Sequence, residues 1–299
     1  MTNNKLKIWL RAIRPFSLTG SVIPVTIGAV LASKYTNFNL EYFMIALLDV
    51  LFLHTSINLL SDHDDFVNNI DTPDSYGSSG VITEKLLDAK QIKKAGLIFL
   101  ILGCFIGLFL AFKKGEFILF LGIIGALGGY SYTGKPLTLK YRGLGAPLVF
   151  LLFGPLLVLV SFYIQTQQIN SISILISIPL GLLTTAILHA NDLRDIYHDK
   201  KAGIKTLSII VGRRNSEKIY FILILSPYII ILILTLFKFI PLLSLICLIT
   251  LPNALKNIRS IHMSKISTAW LKTIDQETAK LQAQFGTILI VSIVLSYII

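Results

Sequence analysis

Two acidic clusters carry the groups in this chain best suited to chemistry. The first reads Asn58-Leu-Leu-Ser-Asp62-His-Asp64-Asp65, followed by Asp71 and Asp74. The second reads Asn191-Asp192-Leu-Arg194-Asp195-Ile-Tyr-His-Asp199. On a helix continuing through the first motif, Asn58, Asp62 and Asp65 lie at i, i+4 and i+7 and share a face. Asp192, Asp195 and Asp199 lie at i, i+3 and i+7, with Asn191 four residues before Asp195. Carboxylates gathered this way repel one another unless a cation lies between them. Mg²⁺ is the expected cation, held by carboxylates together with substrate phosphates rather than by an all-protein cage. The expected metal ligands are Asp62, Asp65, Asp192, Asp195 and Asp199, with Asn58 and Asn191 beside the substrate. Two such clusters facing each other would hold Mg²⁺ ions bridging one diphosphate.

A lone aspartate at a membrane boundary is usually a solvated loop charge. Two Asn-Asp-Asp clusters at matched helical spacing are not read that way. Their shared Asn-x3-Asp offset also hints at an internal repeat, although the flanking sequences diverge.

Basic residues complete the pattern. One loop reads Tyr130-Ser-Tyr132-Thr-Gly134-Lys135-Pro136-Leu-Thr-Leu-Lys140-Tyr141-Arg142-Gly143, and the second motif adds Arg194, Lys200, Lys201 and Lys205. Fixed cations near a diphosphate stabilise the charge that builds on a departing pyrophosphate. Arg194, inside the acidic motif, and Lys140 are placed with Asp62, Asp65, Asp195 and Asp199 in the chemistry. Lys135, Tyr141 and Arg142 are placed at the substrate.

The elements that must position these residues are membrane helices. The chain is 54% hydrophobic and 14% charged, with a mean hydropathy of +0.74, whereas soluble domains carry about 25% charged residues. Nine apolar runs approach the roughly 20 residues that a spanning helix needs: about 16–33, 42–60, 95–112, 116–133, 143–164, 172–190, 219–237, 239–255 and 282–299. The third and fourth, and the seventh and eighth, are joined tightly enough to form antiparallel hairpins. The expected fold is an all-α polytopic bundle forming one domain over 1–299.

Charge orients the bundle. The N-terminal segment and the loops after even-numbered spans hold 23 of the 27 Lys and Arg; the remaining four are Lys34, Lys113, Lys114 and Lys238. Cytoplasmic loops are the basic ones, so the N-terminus and both acidic motifs are expected in the cytoplasm and the C-terminus outside. The net charge of +11 then reflects anionic lipid or substrate rather than nucleic acid. Cys104 and Cys247 lie in apolar runs and read as buried thiols. The N-terminus lacks the pattern of a cleaved signal peptide, so the first span is expected to remain.

With these residues laid out, the chain resembles the UbiA superfamily of membrane prenyltransferases, and within it the 1,4-dihydroxy-2-naphthoate polyprenyltransferases of menaquinone biosynthesis. The segments carrying the likeness are Arg14-Pro15, NLLSDHDDFVNNID (58–71), LKYRGLGAPLVFLLFGP (139–155), HANDLRDIYHDKKAGIKTL (189–207) and TAKLQAQFG (278–286). The resemblance implies nine helices around a central cavity capped by the aspartates on the cytoplasmic side. It also implies Mg²⁺, a prenyl diphosphate donor and an aromatic acceptor, with Asn58, Asp62, Asp65, Asn191, Asp192, Asp195 and Asp199 on the diphosphate. One departure is Ala146, where that branch usually has Glu after Gly-Leu-Gly.

An allylic cation needs a dry cavity, or water would quench it. His54 and His189 are candidates to steer an acceptor proton, though such histidines more often bond within a bundle. Tyr130 and Tyr132 read as interface anchors, and Gly77-Ser-Ser-Gly80 as a lid or an ordinary connection. The rivals are a prenyltransferase with another acceptor, a lipid-head-group phosphotransferase and a secondary transporter. Phosphotransfer would need one compact Asp motif. Transport would place carboxylates near the bilayer midplane, whereas these lie at span ends.

Overall fold

The computed structural model describes residues 2–72, 77–264 and 267–298, so Asp74 lies outside the described residues. Every regular element among them is helical. The helices are α1 (Thr2–Ile13), α2 (Thr19–Ala32), α3 (Leu40–Val67), α4 (Ala89–Lys114) and α5 (Glu116–Ser131). They continue as α6 (Gly145–Thr166), α7 (Ser171–Arg194), α8 (Ile196–Lys201), α9 (Leu207–Val211), α10 (Arg213–Leu236), α11 (Leu251–Met263) and α12 (Ile274–Ile298).

Seven helical stretches are long and apolar enough to cross a membrane: α3, α4, α6, α7, α10, Leu242–Met263 and Ala269–Ile298. The expected first and fourth spans are shorter. At 1.5 Å per residue, the 14 residues of α2 and 16 of α5 reach roughly 21 and 24 Å, against a hydrocarbon core of about 30 Å. The first is cut short because Arg14 takes a left-handed backbone (φ 56°) before Pro15, and α2 begins only at Thr19. The eighth span is also built differently, starting as a 3₁₀ stretch, Leu242–Thr250, before α11.

Local sequence sets the boundaries. Asn39 and Asn170 cap α3 and α7 through their side chains, and Asp88 with Gln91 forms a capping box on α4. Gly115, at φ 97°, lets α4 reverse directly into α5. Pro155 sits in a π-turn, Leu152–Leu156, that widens α6 locally.

The most enclosed long helix is α7. Its buried Ser173, Ser177, Gly181, Thr184, Thr185 and Ala186 let neighbours approach on several sides. A Cβ on Gly154 of α6 would meet the Gly181 backbone at 2.9 Å. One apolar core joins α2, α6, α7, α10, α11 and α12. A second, around Ala12, Leu59, Val81, Ile82 and Ile92, seats α1 against α3 and α4.

Candidate active site

The helix of the first motif continues through it, as the spacing predicts: α3 runs to Val67. The second does not form one helix. It breaks at Asp195, the cap of α7, and resumes as α8 with Asp199 on it. The break leaves Asp192, Asp195 and Asp199 on one cleft, because the Asp199 N–H still donates to the Asp195 carbonyl at 2.9 Å.

Asp62, Asp65, Asp71, Asp192, Asp195 and Asp199 are each at most 9% exposed. Solvated loop charges would not be sealed in this way, so these carboxylates need partners. For three of them the chain supplies cations. Asp62 pairs with Arg14 and accepts from the Ser79 hydroxyl at 2.5 Å and the Ser79 N–H at 3.2 Å. Asp65 accepts from Lys140 at 2.7 Å and from the Tyr141 hydroxyl at 2.6 Å. Asp195 accepts from Arg194 at 2.9 Å; Arg194 also pairs with Asp275 at 2.8 Å and donates to Asn191.

The two motifs meet in a small cleft lined by Asp71, Lys140, Asn191, Asp192, Asp195 and Asp199, with Gly77 at its edge. A Cβ on Gly77 would lie 2.9 Å from Asp195, so the backbone passes directly over that carboxylate. With Ser79 bonded to Asp62, the segment expected as a lid or connection spans both clusters. Beneath the cleft, a central cavity of about 120 Å³ is lined by Arg14, Asn58, Tyr132, Lys140, Asn191 and Asp275 at its polar end. His54, Ile57, Leu152 and Phe153 continue it into an apolar pocket between α3, α5 and α6.

Burial and the neighbouring Asp65 raise Asp71 to about 7. Burial raises Asp199 to about 7 despite the opposing pull of Lys140. Burial disfavours the Lys140 ammonium, but Asp65 outweighs it and holds the amine charged well above its ordinary range. Arg14 behaves likewise, its burial offset by Asp62 and then Asp71.

The donor set fits a hard divalent cation. Every candidate ligand is a carboxylate oxygen, and Asp71 Oδ2 is buried without a hydrogen-bond partner. Among the described residues no three acidic, His or Cys side chains converge closely enough to hold an ion alone. The expected ligands therefore make a site that phosphate oxygens would have to complete.

Several expectations change. Arg142 is exposed and donates to the Pro136 carbonyl at 3.0 Å. Lys135 is exposed and lines a separate groove beside Asp64 and Lys93. The loop turns at Pro136 and Gly143, so Arg142 points away from both clusters and Lys135 reaches only the groove at Asp64, while Lys140 and Tyr141 face Asp65. Tyr132, expected as an interface anchor, lines the central cavity. His189 bonds within the bundle, to the Ser216 carbonyl at 2.9 Å, while His54 lines the cavity and meets Ser21 at 2.7 Å. Asn58 lines the cavity and donates to Ile13 and Ser17, each at 2.9 Å.

Sequence reasoning gave no role to Arg14 or Asp275, and it read Ser79 only as part of the lid or connection at 77–80. Arg14-Pro15 and the TAKLQAQFG segment just after Asp275 were the available signals. Arg14 and Asp275 are far from either motif in sequence and join the site only through folding.

A sequence model described as the UbiA prenyltransferase family matches residues 21–273. A Bacillus subtilis (strain 168) protein named 1,4-dihydroxy-2-naphthoate octaprenyltransferase is 36% identical over 203 residues, 68% of this chain and 65% of that protein, just under two thirds of its length. The Drosophila melanogaster UbiA prenyltransferase domain-containing protein 1 homolog is 32% identical over 300 residues, covering 96% of this chain and 79% of its own. Among solved structures, a UbiA homolog from Archaeoglobus fulgidus bound to GPP and Mg²⁺ superposes with a TM-score of 0.57 at 15% identity, covering 94% of this chain and 99% of that one.

Proposed function

The chain belongs to the UbiA prenyltransferase family, and on that premise we propose that it transfers a polyprenyl group from a prenyl diphosphate to 1,4-dihydroxy-2-naphthoate. The observation that carries this reading is the pair of buried carboxylate motifs meeting over an apolar cavity. The bacterial relative named for that acceptor, and the archaeal homolog bound to GPP and Mg²⁺, support the choice of substrates and metal.

Asp62, Asp65, Asp71, Asp192, Asp195 and Asp199 are the groups that would hold Mg²⁺ together with the diphosphate. Mg²⁺ supplies Lewis-acid neutralisation of the leaving group. Lys140, Arg14 and Arg194 already stand among these carboxylates and can shift their hydrogen bonds onto phosphate oxygens as charge builds there. The allylic C–O bond breaks, and its electron pair leaves with the diphosphate. The apolar walls around Leu152 and Phe153 exclude water from the allylic cation. The acceptor's ring carbon bearing the carboxylate forms the new C–C bond, and CO₂ departs leaving its bonding pair in the ring.

The basic loops support a cytoplasmic N-terminus, with the site opening on that face of the cell membrane and the C-terminus outside. A second reading keeps the reaction and changes the aromatic acceptor. It is favoured by Ala146, which differs from the Glu usual in the naphthoate branch, and by the wider coverage of the animal relatives.

The test is prenyl transfer by purified protein in detergent with Mg²⁺, a labelled long-chain prenyl diphosphate and the naphthoate, beside Asp62→Ala. Decarboxylated prenyl-naphthol that disappears in the variant supports the reading. Product only from other aromatics moves the acceptor, and no transfer by folded protein rejects the reaction.

A further inference from the structure

A large cavity among the described residues lies at the opposite membrane face from the acidic motifs. It measures about 1010 Å³ and is bounded by the ends of α2, α7, α10 and α12 remote from those motifs and by the turn at Pro241. That is the upper end of the size expected for a ligand pocket. Its walls are mainly Leu, Ile and Phe, so an aqueous solute has little to gain there. Its rim is different: Lys34 and Lys238 line it with Tyr35, Thr235, Ser296 and Tyr297.

The charge is concentrated. That face holds only four of the chain's 27 Lys and Arg, and two of the four rim this one cavity. Among the described residues neither lysine forms an ion pair with a carboxylate. Both are exposed at the ends of apolar helices, where a lysine stem lies along hydrocarbon and its ammonium reaches the head groups. Tyrosine at the same level is the usual companion of a lipid head group.

We propose that this cavity holds one anionic diacyl phospholipid from the leaflet opposite the acidic motifs. Its phosphate lies between Lys34 and Lys238, and its acyl chains lie on the apolar wall. Two cations lining one apolar cavity complement a charged head group attached to hydrocarbon, and each lysine strengthens the attraction independently.

The experiment is native mass spectrometry of delipidated protein titrated with phosphatidylglycerol or phosphatidylcholine. Wild type, Lys34→Gln/Lys238→Gln and Lys113→Gln/Lys114→Gln are compared. The third protein loses the same charge from the same face but away from the cavity. The expected result is one tightly retained phosphatidylglycerol, no equivalent phosphatidylcholine, and about tenfold or greater weakening only in the Lys34/Lys238 variant. Equal weakening in both variants would show a general charge effect and overturn the proposal. Equal retention of the two lipids by wild type would overturn it as well. A prenylated quinone that displaces the retained lipid equally from all three proteins would make the cavity a product site instead.

Discussion

Lys140 Nζ stands 2.7 Å from one oxygen of Asp65, and the Tyr141 hydroxyl donates to the other at 2.6 Å. Two adjacent residues of one loop thus hold both oxygens of one buried carboxylate. Lys205 N–H donates to the Tyr141 carbonyl at 3.1 Å, so the same loop is fastened to the segment after the second motif.

Replacing Lys140 by Met therefore removes the fixed cation between the motifs. Turnover is expected to fall about 10²–10³-fold, the range for losing one preorganised charge-stabilising donor. Tyr141→Phe loses one hydrogen bond to a charged group, worth about 1.5–3 kcal/mol. Arg142→Ala is expected to change turnover less than about twofold, since its guanidinium is exposed and, among the described residues, hydrogen-bonds to the Pro136 carbonyl rather than to a carboxylate. Steady-state transfer rates separate the three, and an Arg142 effect as large as that of Lys140 would contradict the geometry.

The Arg194–Asp275 pair is nearly sealed from solvent, with 4% and 11% side-chain exposure. Asp275→Leu leaves the guanidinium with Asp195 as its one carboxylate partner among the described residues and should cost about 3–5 kcal/mol in unfolding experiments in detergent. Removing both charges, as Arg194→Met/Asp275→Leu, should restore much of the stability while transfer stays abolished. If the double variant is no more stable than the single one, the burial cost assigned to the unpaired arginine is wrong.

Asp71 and Asp199 titrate near 7 in the folded protein, against 3.8 for an ordinary Asp. Between those values the folded chain binds more protons than the unfolded one, so stability falls as pH rises. The contribution is full below about 4 and lost by about 7. Metal-free protein should show a Tm that declines from pH 5 to 8. Adding Mg²⁺ with a non-hydrolysable prenyl diphosphate analogue should flatten or reverse that slope, because the bound ion favours the ionised carboxylates. A metal-free Tm that rises over this range would show these carboxyls already ionised.

Gly28 carries the tightest approach of a glycine to a neighbouring helix's backbone among the described residues. A Cβ there would sit 2.4 Å from the Val158 carbonyl and 2.8 Å from Ser161. Gly28→Ala is expected to cost about 1–3 kcal/mol through forced separation of α2 and α6. Gly122→Ala, where a Cβ meets nothing within 4 Å, should be neutral or slightly stabilising. Paired thermal melts give the comparison.

The helical class, the position of the long spans and the two acidic motifs were legible because each is written in contiguous sequence. Apolar length marks the spans, and spacing marks the carboxylates. Arg14 and Asp275 were not legible as site residues, being far from either motif and from each other in sequence. Lys135 and Arg142 were misplaced for a related reason. Composition shows that a loop is basic, but only its turns decide which cation points inward. The shortness of α2 was missed because hydropathy counts apolar residues whether or not they are helical, and residues 14–18 are not.

Asp275 stands at the start of the last helix, and its partner Arg194 ends α7. The Gln282 side chain also donates to the Thr19 carbonyl at 3.3 Å, joining the last helix to one of the first. During synthesis α1 to α11 emerge and insert before either contact can exist. The Arg194–Asp275 pair therefore closes only when α12 enters the bilayer, and a nascent chain lacking α12 would leave that arginine incompletely paired at the end of α7.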